Sequence, residues 1–135
     1  MRNTQTQREA LLAFALTLTG AVADRPFEDD FDTTVTRHGA GGKWFGLFMR
    51  VSRARLGLTG EGAVDVVNLK LDPEDGYAAR EMYPTVLPAY HMNKRHWVSV
   101  VLDGSVPQDF CELLVEKSFC ASRPVRAERK REKSH

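Results

Sequence analysis

The sequence predicts an α+β domain, a two-layer α/β sandwich in which a five-stranded, mainly antiparallel sheet is covered by helices on one face. Two observations support this prediction. Segments with helical periodicity stand near both ends and in the middle of the chain, and five alternating or apolar segments between them are typical of strands. The connections within each group of strands are short, which favours antiparallel neighbours. The predicted order is α-β-β-β-α-β-β-α.

Three helices are predicted from their periodicity and their capping residues. Thr6 and Glu9 form a capping box before an amphipathic segment that extends to residue 18. Pro73 stands at the first position of the second helix, behind an acidic N-cap, and Pro84 ends this helix. Ser105 should open a second capping box, from which the last helix extends to about residue 121.

Five strands are predicted from alternating or continuous apolar residues bounded by Gly, Pro or Asn. The third of them places Val67 and Leu69 on one face and Asn68 and Lys70 on the other. The glycine-rich turn of residues 38–42 leads into a strand rather than a helix, so it is a hairpin turn and not a phosphate loop. The five predicted strands are residues 31–37, 43–51, 63–71, 85–92 and 95–102.

Residues 21–30 are interpreted as a solvated connector, because they contain Pro26 and four carboxylates. A cation site is the alternative, since carboxylates are the ligands that hard cations prefer. No other ligand type stands in the segment, and the connector is therefore the preferred interpretation. The four carboxylates belong to Asp24, Glu28, Asp29 and Asp30.

The composition indicates one globular domain followed by a basic tail. The chain has 135 residues, of which 42% are hydrophobic and 27% charged, so it is long enough to bury a core. From Arg123 onward there are six basic and two acidic residues, whereas the rest of the chain has thirteen basic and sixteen acidic ones. We therefore predict a single domain over residues 1–122 and a basic, disordered tail over residues 123–135.

The sequence contains no segment with the length and apolar character of a membrane span, and its N-terminus lacks the residue order of a signal peptide. Cys111 and Cys120 fall on roughly opposite faces of one predicted helix, so they cannot bond to each other within it. These features predict a cytoplasmic protein with no membrane partner.

Residues 87–97, LPAYHMNKRHW, form the stretch that is richest in chemically versatile side chains. If residues 93–94 are a two-residue hairpin loop, His91 faces His96 across the two strands. Two facing imidazoles could serve a metal, but a zinc site needs three or four ligands, and neither cysteine offers an obvious partner. We therefore predict no metal site and no cofactor.

The same pairing places Tyr90 opposite Trp97, with Lys94 and Arg95 at the tip of the hairpin. Cations and stacking rings on one projecting element suit a nucleic-acid groove or a phosphate backbone. The structural alternative is a packed hairpin with a solvated tip, in which the aromatic pair only stiffens the strands.

No group of residues in the sequence requires catalysis. Cys111 stands on a helix face that should be buried, so we interpret it as a small hydrophobic residue rather than a thiolate nucleophile. A Cys-His couple with His91 or His96 depends on the fold and stays open. Acids at the start of the second helix are explained by capping and the helix dipole. We predict that the protein is not an enzyme.

Several segments resemble the MmcQ/YjbR family of small bacterial proteins, and the resemblance covers roughly residues 6–121. It implies a two-layer α/β fold related to the CyaY-like or secretion-chaperone-like arrangement. It also implies DNA binding through a double wing of hairpins. The segments that carry the resemblance are VVNLKLDP at 66–73, YP at 83–84, YHMNK at 90–94, HW at 96–97 and LDGS at 102–105.

The resemblance implies that two basic hairpins, or wings, contact the DNA. One wing is the hairpin around residues 93–95, and the other is the connection at residues 50–55. The body of the domain is acidic, whereas a duplex-binding domain usually has a basic face. The basic tail should add a salt-sensitive, nonspecific component to DNA binding. The residues expected to contact DNA are Lys94, Arg95, Asn93, His91, His96, Arg50, Arg53 and Arg55.

The alternative function is a protein–protein interaction module of secretion-chaperone-like shape with no nucleic-acid role. In this hypothesis the open face or an edge of the sheet recruits the partner. The expected partners are thus DNA or another protein, and we expect a monomer or a weak homodimer in both cases.

Overall fold

The computed structural model describes residues 5–30 and 32–123. Of the predicted tail, only Arg123 lies within these residues. A 3-10 turn, Ala54–Leu56, lies between the third and fourth strands. The helices are α1 (Gln7–Ala15), α2 (Pro73–Met82) and α3 (Gln108–Ala121). The strands are β1 (Ala21–Asp24), β2 (Thr34–His38), β3 (Trp44–Ser52), β4 (Ala63–Lys70), β5 (Val86–Pro88) and β6 (Trp97–Val101).

The six strands form one sheet in the order β1-β2-β3-β4-β6-β5, and every neighbouring pair is antiparallel. The predicted fold class, an α+β domain with an antiparallel sheet, is confirmed, with one strand more than the five predicted. The additional strand is β1, which pairs with β2 from Ala21↔His38 to Asp24↔Val35.

The interpretation of residues 21–30 as a connector is wrong for the β1 portion. Three of the four β1 residues are exposed, so this edge strand shows no apolar alternation by which the sequence could reveal it. A salt bridge joins Arg37 Nε to Asp24 Oδ1 at 3.1 Å and aligns the edge with β2. One of the four carboxylates in the predicted connector is therefore part of the sheet.

The main core lies between one face of the sheet and the three helices. Phe45, Phe48 and Leu69 on the sheet are fully buried and belong to one cluster with Leu11 of α1 and Leu114 of α3. Each large apolar side chain buried in this way contributes about 1.5–3 kcal/mol. These contacts hold the helices in a single layer, as the two-layer prediction requires.

A β-bulge in β3 explains why the main core contains Phe45. The register between β2 and β3 shifts after Thr36, so that Phe45 has no partner on β2 and turns toward the helices. Its ring centroid lies 5.1 Å from that of Phe119 on α3, at an interplanar angle of 90°. The next residue, Gly46, has no room for a side chain, because a Cβ there would lie 2.5 Å from the Thr36 hydroxyl oxygen.

The two predicted capping boxes differ in outcome. The first is confirmed, since Glu9 N donates to Thr6 Oγ1 and Thr6 N donates to Glu9 Oε1, each at 3.1 Å. The second is wrong, because the N-cap of α3 is Pro107, which has no side-chain hydrogen bond. Ser105 lies before the helix, in the preceding turn, where its hydroxyl donates to Asp103 Oδ1 at 2.6 Å.

The opposite face of the sheet, which we call the loop face, is covered by two loops rather than by helices. The loops are residues 53–62, between β3 and β4, and residues 89–96, between β5 and β6. The apolar cluster on this face consists of Val51, Val64, Val66 and Val101, and Met49, Leu56, Leu58, Leu87 and Tyr90 pack against it. The two loops thus meet over one small apolar platform.

His38 connects the end of β2 to the end of α3. Its ring packs on Phe45 and Phe119, at centroid distances of 5.2 and 4.4 Å, and its Nε2 lies 2.9 Å from Ser122 Oγ. Burial lowers the pKa of His38 below the ordinary value of 6.5, and the positive charge of Arg123 acts in the same direction. The backbone of Phe119 opposes this shift through a hydrogen bond.

We predict that the free energy of unfolding decreases as the pH falls below about 6.5, because the unfolded chain then binds a proton at His38 more readily than the folded chain does. This contribution is fully present above the unfolded pKa and is lost as the pH falls. His38→Gln keeps a hydrogen-bonding group that does not titrate, so it should flatten the pH dependence of urea denaturation between about pH 5 and 7. An unchanged pH dependence in this variant would contradict the assignment.

Candidate functional site

The β5–β6 connection is a long loop rather than the predicted two-residue turn. The strand pairing ends at Pro88↔Val98, and residues 89–96 form the loop. The observed register differs by one residue from the predicted one, which would have placed His91 opposite His96. Because a shift of one residue exchanges the two faces of a strand, neither the predicted histidine pair nor the predicted aromatic pair is a cross-strand pair.

Three polar groups hold this loop against the loop face of the sheet. Tyr90 N donates to Ser99 Oγ at 2.8 Å, and Asn68 Nδ2 donates to the Tyr90 carbonyl oxygen at 3.0 Å. Ser99 Oγ donates in turn to Asn68 Oδ1 at 2.5 Å. Asn68 and Ser99 are fully buried in neighbouring strands, so the backbone of Tyr90 is fixed from both sides.

Asn93 shapes the far end of the same loop. Its side-chain oxygen accepts hydrogen bonds from the backbone N–H groups of Arg95, at 2.8 Å, and His96, at 3.1 Å. Its carbonyl oxygen accepts one from Trp97 N at 3.0 Å. The Asn93 side chain therefore serves the loop itself, while Lys94 beside it is exposed to solvent.

Tyr90, His91 and Arg55 form a raised group where the two loops meet, which we call the Tyr90 ridge. The Tyr90 and His91 rings lie 3.9 Å apart between centroids, at an interplanar angle of 74°. Arg55 Nη1 donates to Tyr90 Oη at 3.3 Å. His91 has a left-handed backbone with φ of 61°, which is uncommon outside glycine, and its side chain is exposed.

The Tyr90 ridge separates two open clefts, both of which it lines. The first cleft has a volume of about 580 Å³ and the second about 440 Å³. Apart from the ridge, the first cleft is lined by Asp30, Met49, Arg50, Val51 and Ser52. The second is lined by Leu56, Leu87, Pro88, Ala89 and Lys94. Each cleft therefore has apolar walls and a cation of its own.

Positive charge predominates along the two clefts. The hydrogen bond that Arg55 donates to Tyr90 raises the pKa of this guanidinium above its ordinary value. Arg50 Nη1 lies 3.3 Å from Asp65 Oδ1, which also accepts a hydrogen bond from Arg8 Nη1 at 3.2 Å. Because one carboxylate serves two guanidinium groups, the half-exposed Arg50 is only partly neutralised.

Asp30 is the acidic residue among the side chains that line these two clefts. Its Oδ2 accepts a hydrogen bond from Thr33 Oγ1 at 2.5 Å, and its Oδ1 accepts one from Asp32 N at 3.1 Å. The carboxylate is thus engaged in its own turn. Three cations along the clefts face one acid that is already hydrogen-bonded.

The structure brings half of the eight predicted contact residues to the clefts. Tyr90, absent from the predicted set, is central to the site, and buried Asn68 and Ser99 support it. The sequence contains a signal for Asn68 and Ser99, because each is a polar residue within an otherwise apolar strand, in VVNLK and WVSVV. Such a residue needs a hydrogen-bonding partner when it is buried. The predicted residues that line the clefts are Arg50, Arg55, His91 and Lys94. Those that line neither cleft are Arg53, Asn93, Arg95 and His96.

Cys111 lies in the main core, on the other side of the sheet from the Tyr90 ridge. Burial raises the pKa of its thiol to about 12, and the sulfur donates weakly to the Val106 carbonyl oxygen at 3.8 Å. The couple with His91 or His96 that the sequence left open does not form with this thiol, because Cys111 is fully buried whereas both histidines are exposed. Cys120 is exposed.

Within residues 5–30 and 32–123, no group of three or more His, Cys, Asp and Glu side chains is placed to hold a metal ion. The helices in the same ranges are all too short or too polar to cross a lipid bilayer. The groups that line the clefts are aromatic rings, cations and apolar side chains, with Asp30 and Ser52 in the first cleft.

Fold and site together define a small α+β protein whose antiparallel sheet carries helices on one face and a loop-built pair of clefts on the other. A sequence model of the YjbR family matches residues 16–121 of the chain. The chain therefore belongs to the YjbR family, and the resemblance to MmcQ/YjbR proteins is confirmed.

Curated relatives and solved structures agree with this assignment. The uncharacterized protein YyaQ of Bacillus subtilis is 40% identical over 100 residues, which are 74% of this chain and 84% of YyaQ. The uncharacterized protein YjbR of Escherichia coli K12 is 38% identical over 65 residues, which are 48% of this chain and 55% of YjbR. A crystal structure of a Pseudomonas syringae protein superposes with a TM-score of 0.79 at 34% identity, over 86% of this chain and 98% of that one.

We predict that Asn68→Ala lowers the free energy of unfolding by about 1–3 kcal/mol, because it leaves Ser99 and the Tyr90 carbonyl without their buried partner. Urea denaturation measures this loss. Thr59→Ala removes a similar group from an exposed position in the other loop and should stay within about 0.5 kcal/mol of the unaltered protein. Equal stability of the two variants would show that the buried network does not stabilise the loop face.

Proposed function

We propose that this protein binds DNA on its loop face, at the Tyr90 ridge and its two clefts. One observation carries the proposal: Arg55 of one loop and Lys94 of the other line the same cleft, beside the exposed ring of His91. Guanidinium and ammonium groups bind phosphates, and aromatic rings beside them bind bases or sugars. Catalysis has no part in this proposal.

Both segments of the expected double wing contribute residues to the proposed site, but they do so as two joined loops rather than as two separate hairpins. The Arg55–Tyr90 hydrogen bond joins the loops of residues 53–62 and 89–96 over the sheet. The second loop is tied down by Asn68 and Ser99. The surface offered to DNA is consequently a concave region with a central ridge, in which both wings contribute to one site.

The acidic average of the domain is compatible with this proposal because the charge is unevenly distributed. Helix α2 begins with Glu74 and Asp75, on the helix layer and away from the loop face. Around the clefts, Arg50, Arg55 and Lys94 outnumber the acidic side chains. At ordinary salt, dissolved ions screen charges that lie more than about 10 Å apart. A phosphate at the clefts therefore interacts mainly with the nearby cations and only weakly with distant carboxylates.

The matched test compares two double variants of the full chain. Arg55→Ala with Lys94→Ala should weaken binding to a labelled DNA fragment and lower the log–log salt slope by about 1.5, since each lost phosphate contact removes about 0.7–0.9. Fluorescence anisotropy at about 50 and 200 mM salt measures both quantities.

The control double variant is Lys43→Ala with Lys117→Ala, which removes two positive charges far from the clefts. Lys43 precedes β3 at the end opposite Val51, about 25 Å away along the strand, and Lys117 lies on the helix layer. It should retain the binding and the slope of the unaltered protein. If both double variants lose affinity equally, the charge of the whole chain governs binding and the site proposal is wrong.

A protein partner is the second candidate, favoured by a different surface. Met82 and Leu113 are 59% and 43% exposed and line a groove between α2 and α3, together with the buried Ala79 and Leu114. If this groove forms a weak homodimer, sedimentation equilibrium will show a mass that rises with concentration, and Met82→Gln with Leu113→Gln will abolish the rise. A constant monomer mass would exclude self-association through the groove.

A further inference from the structure

We infer that the nucleic acid bound at the Tyr90 ridge is single-stranded, with two successive nucleotides lying on either side of the ridge. This inference rests on the proposed function and gives it a ligand class. It follows from three features of the loop face: paired clefts that share one wall, an exposed ring at the top of that wall, and a cation at each of three successive positions.

The two clefts offer two adjacent places for unpaired nucleotides. They share Tyr90, His91 and Arg55, so a ligand that fills both must pass over the ridge. Apolar side chains stand in both outer walls: Leu56, Leu87 and Pro88 in the second cleft, and Met49 and Val51 in the first, which also contains Asp30, Arg50 and Ser52. Apolar walls suit the faces of bases, and these faces are free only when the bases are unstacked.

The His91 ring is built into an exposed position. The backbone at His91 is left-handed, with φ of 61°, next to a Tyr90 backbone that is fixed by Asn68 and Ser99. The two rings meet nearly edge to face, at 74°, so they are not stacked on each other, and the His91 side chain is exposed to solvent. An exposed ring fixed at its base is suited to stack on a base at little cost in conformational entropy.

The cations follow the path that such a strand would take. Arg50 lines the first cleft, Arg55 lies on the shared ridge and Lys94 lines the second cleft. A strand crossing from one cleft to the other therefore meets a positive charge before, on and after the ridge. This order matches a backbone that carries one phosphate per nucleotide.

A duplex does not fit these features. Its bases are stacked on one another and expose only their edges in the grooves, so no base face is available to His91. The rings and apolar walls that would contact bases line clefts, and the backbone of Tyr90 between these clefts is fixed to the sheet by Asn68 and Ser99. The ridge could touch the outside of a duplex only at its phosphates.

The experiment measures binding of the full chain to three labelled ligands of equal length: an oligothymidylate, its duplex with oligodeoxyadenylate, and an abasic strand with the same phosphates. The oligothymidylate should bind about tenfold more tightly than the abasic strand, through stacking. His91→Asn removes the ring while tolerating the left-handed backbone, and it should abolish this preference. His96→Asn is the matched control, because His96 is an exposed histidine of the same loop that lines neither cleft, and it should retain the preference.

Each result distinguishes the inference from the proposed function. Binding of the duplex that equals or exceeds that of the oligothymidylate, or equal binding of the abasic strand, overturns the single-strand inference and leaves DNA binding intact. A preference that survives in His91→Asn also overturns it. If Arg55→Ala with Lys94→Ala leaves binding of all three ligands unchanged, the loop face is not the binding site and both proposals fail together.

Discussion

The hydrogen-bond network of Asn68, Ser99 and the Tyr90 backbone determines how the loop face is built. Asn68 and Ser99 occupy opposed positions in β4 and β6, both fully buried among valines. A buried amide and a buried hydroxyl are costly unless every polar group finds a partner, and here the loop supplies the missing partners. The buried side chains of Asn68 and Ser99 therefore require the backbone of Tyr90 as a hydrogen-bonding partner. This requirement fixes the position of the Tyr90 ridge.

The helical layer was predictable from the sequence because the residues that start a helix and form its apolar face lie close together in the chain. The Thr6–Glu9 box and Pro73 act within one turn of chain, and apolar side chains recur at helical spacing. The edge strand β1 was not predictable, since most of its side chains are exposed and it is identified by its backbone pairing with β2. The sequence signal of a strand is the alternation of buried apolar and exposed polar residues, and a strand that is mostly exposed lacks this alternation.

The site was less predictable than the fold, for a related reason. A two-residue turn at Asn93 was inferred from the short distance between two apolar segments, but the pairing stops at Pro88. What replaces it is a loop ordered by the side chain of Asn93 and by a buried network, in which Asn68 and Ser99 lie on two strands that only the folded sheet brings together. The predicted pairing across the hairpin was therefore wrong, because it depends on a register that the segment alone does not determine.

The segment YHMNK carries two kinds of residue that the sequence alone cannot separate. The backbone of Tyr90 and the side chain of Asn93 are used inside the loop, whereas His91 and Lys94 are directed outward. The structural roles of Tyr90 and Asn93 are enough to explain this motif. A relative that has the motif is therefore expected to have the same loop, but not necessarily the same ligand. Arg55 lies outside the segment, in another loop, and it completes the site only through Tyr90 Oη. A cation at that position, rather than the motif itself, is therefore the better indicator that a YjbR-family protein shares the binding surface proposed for this one.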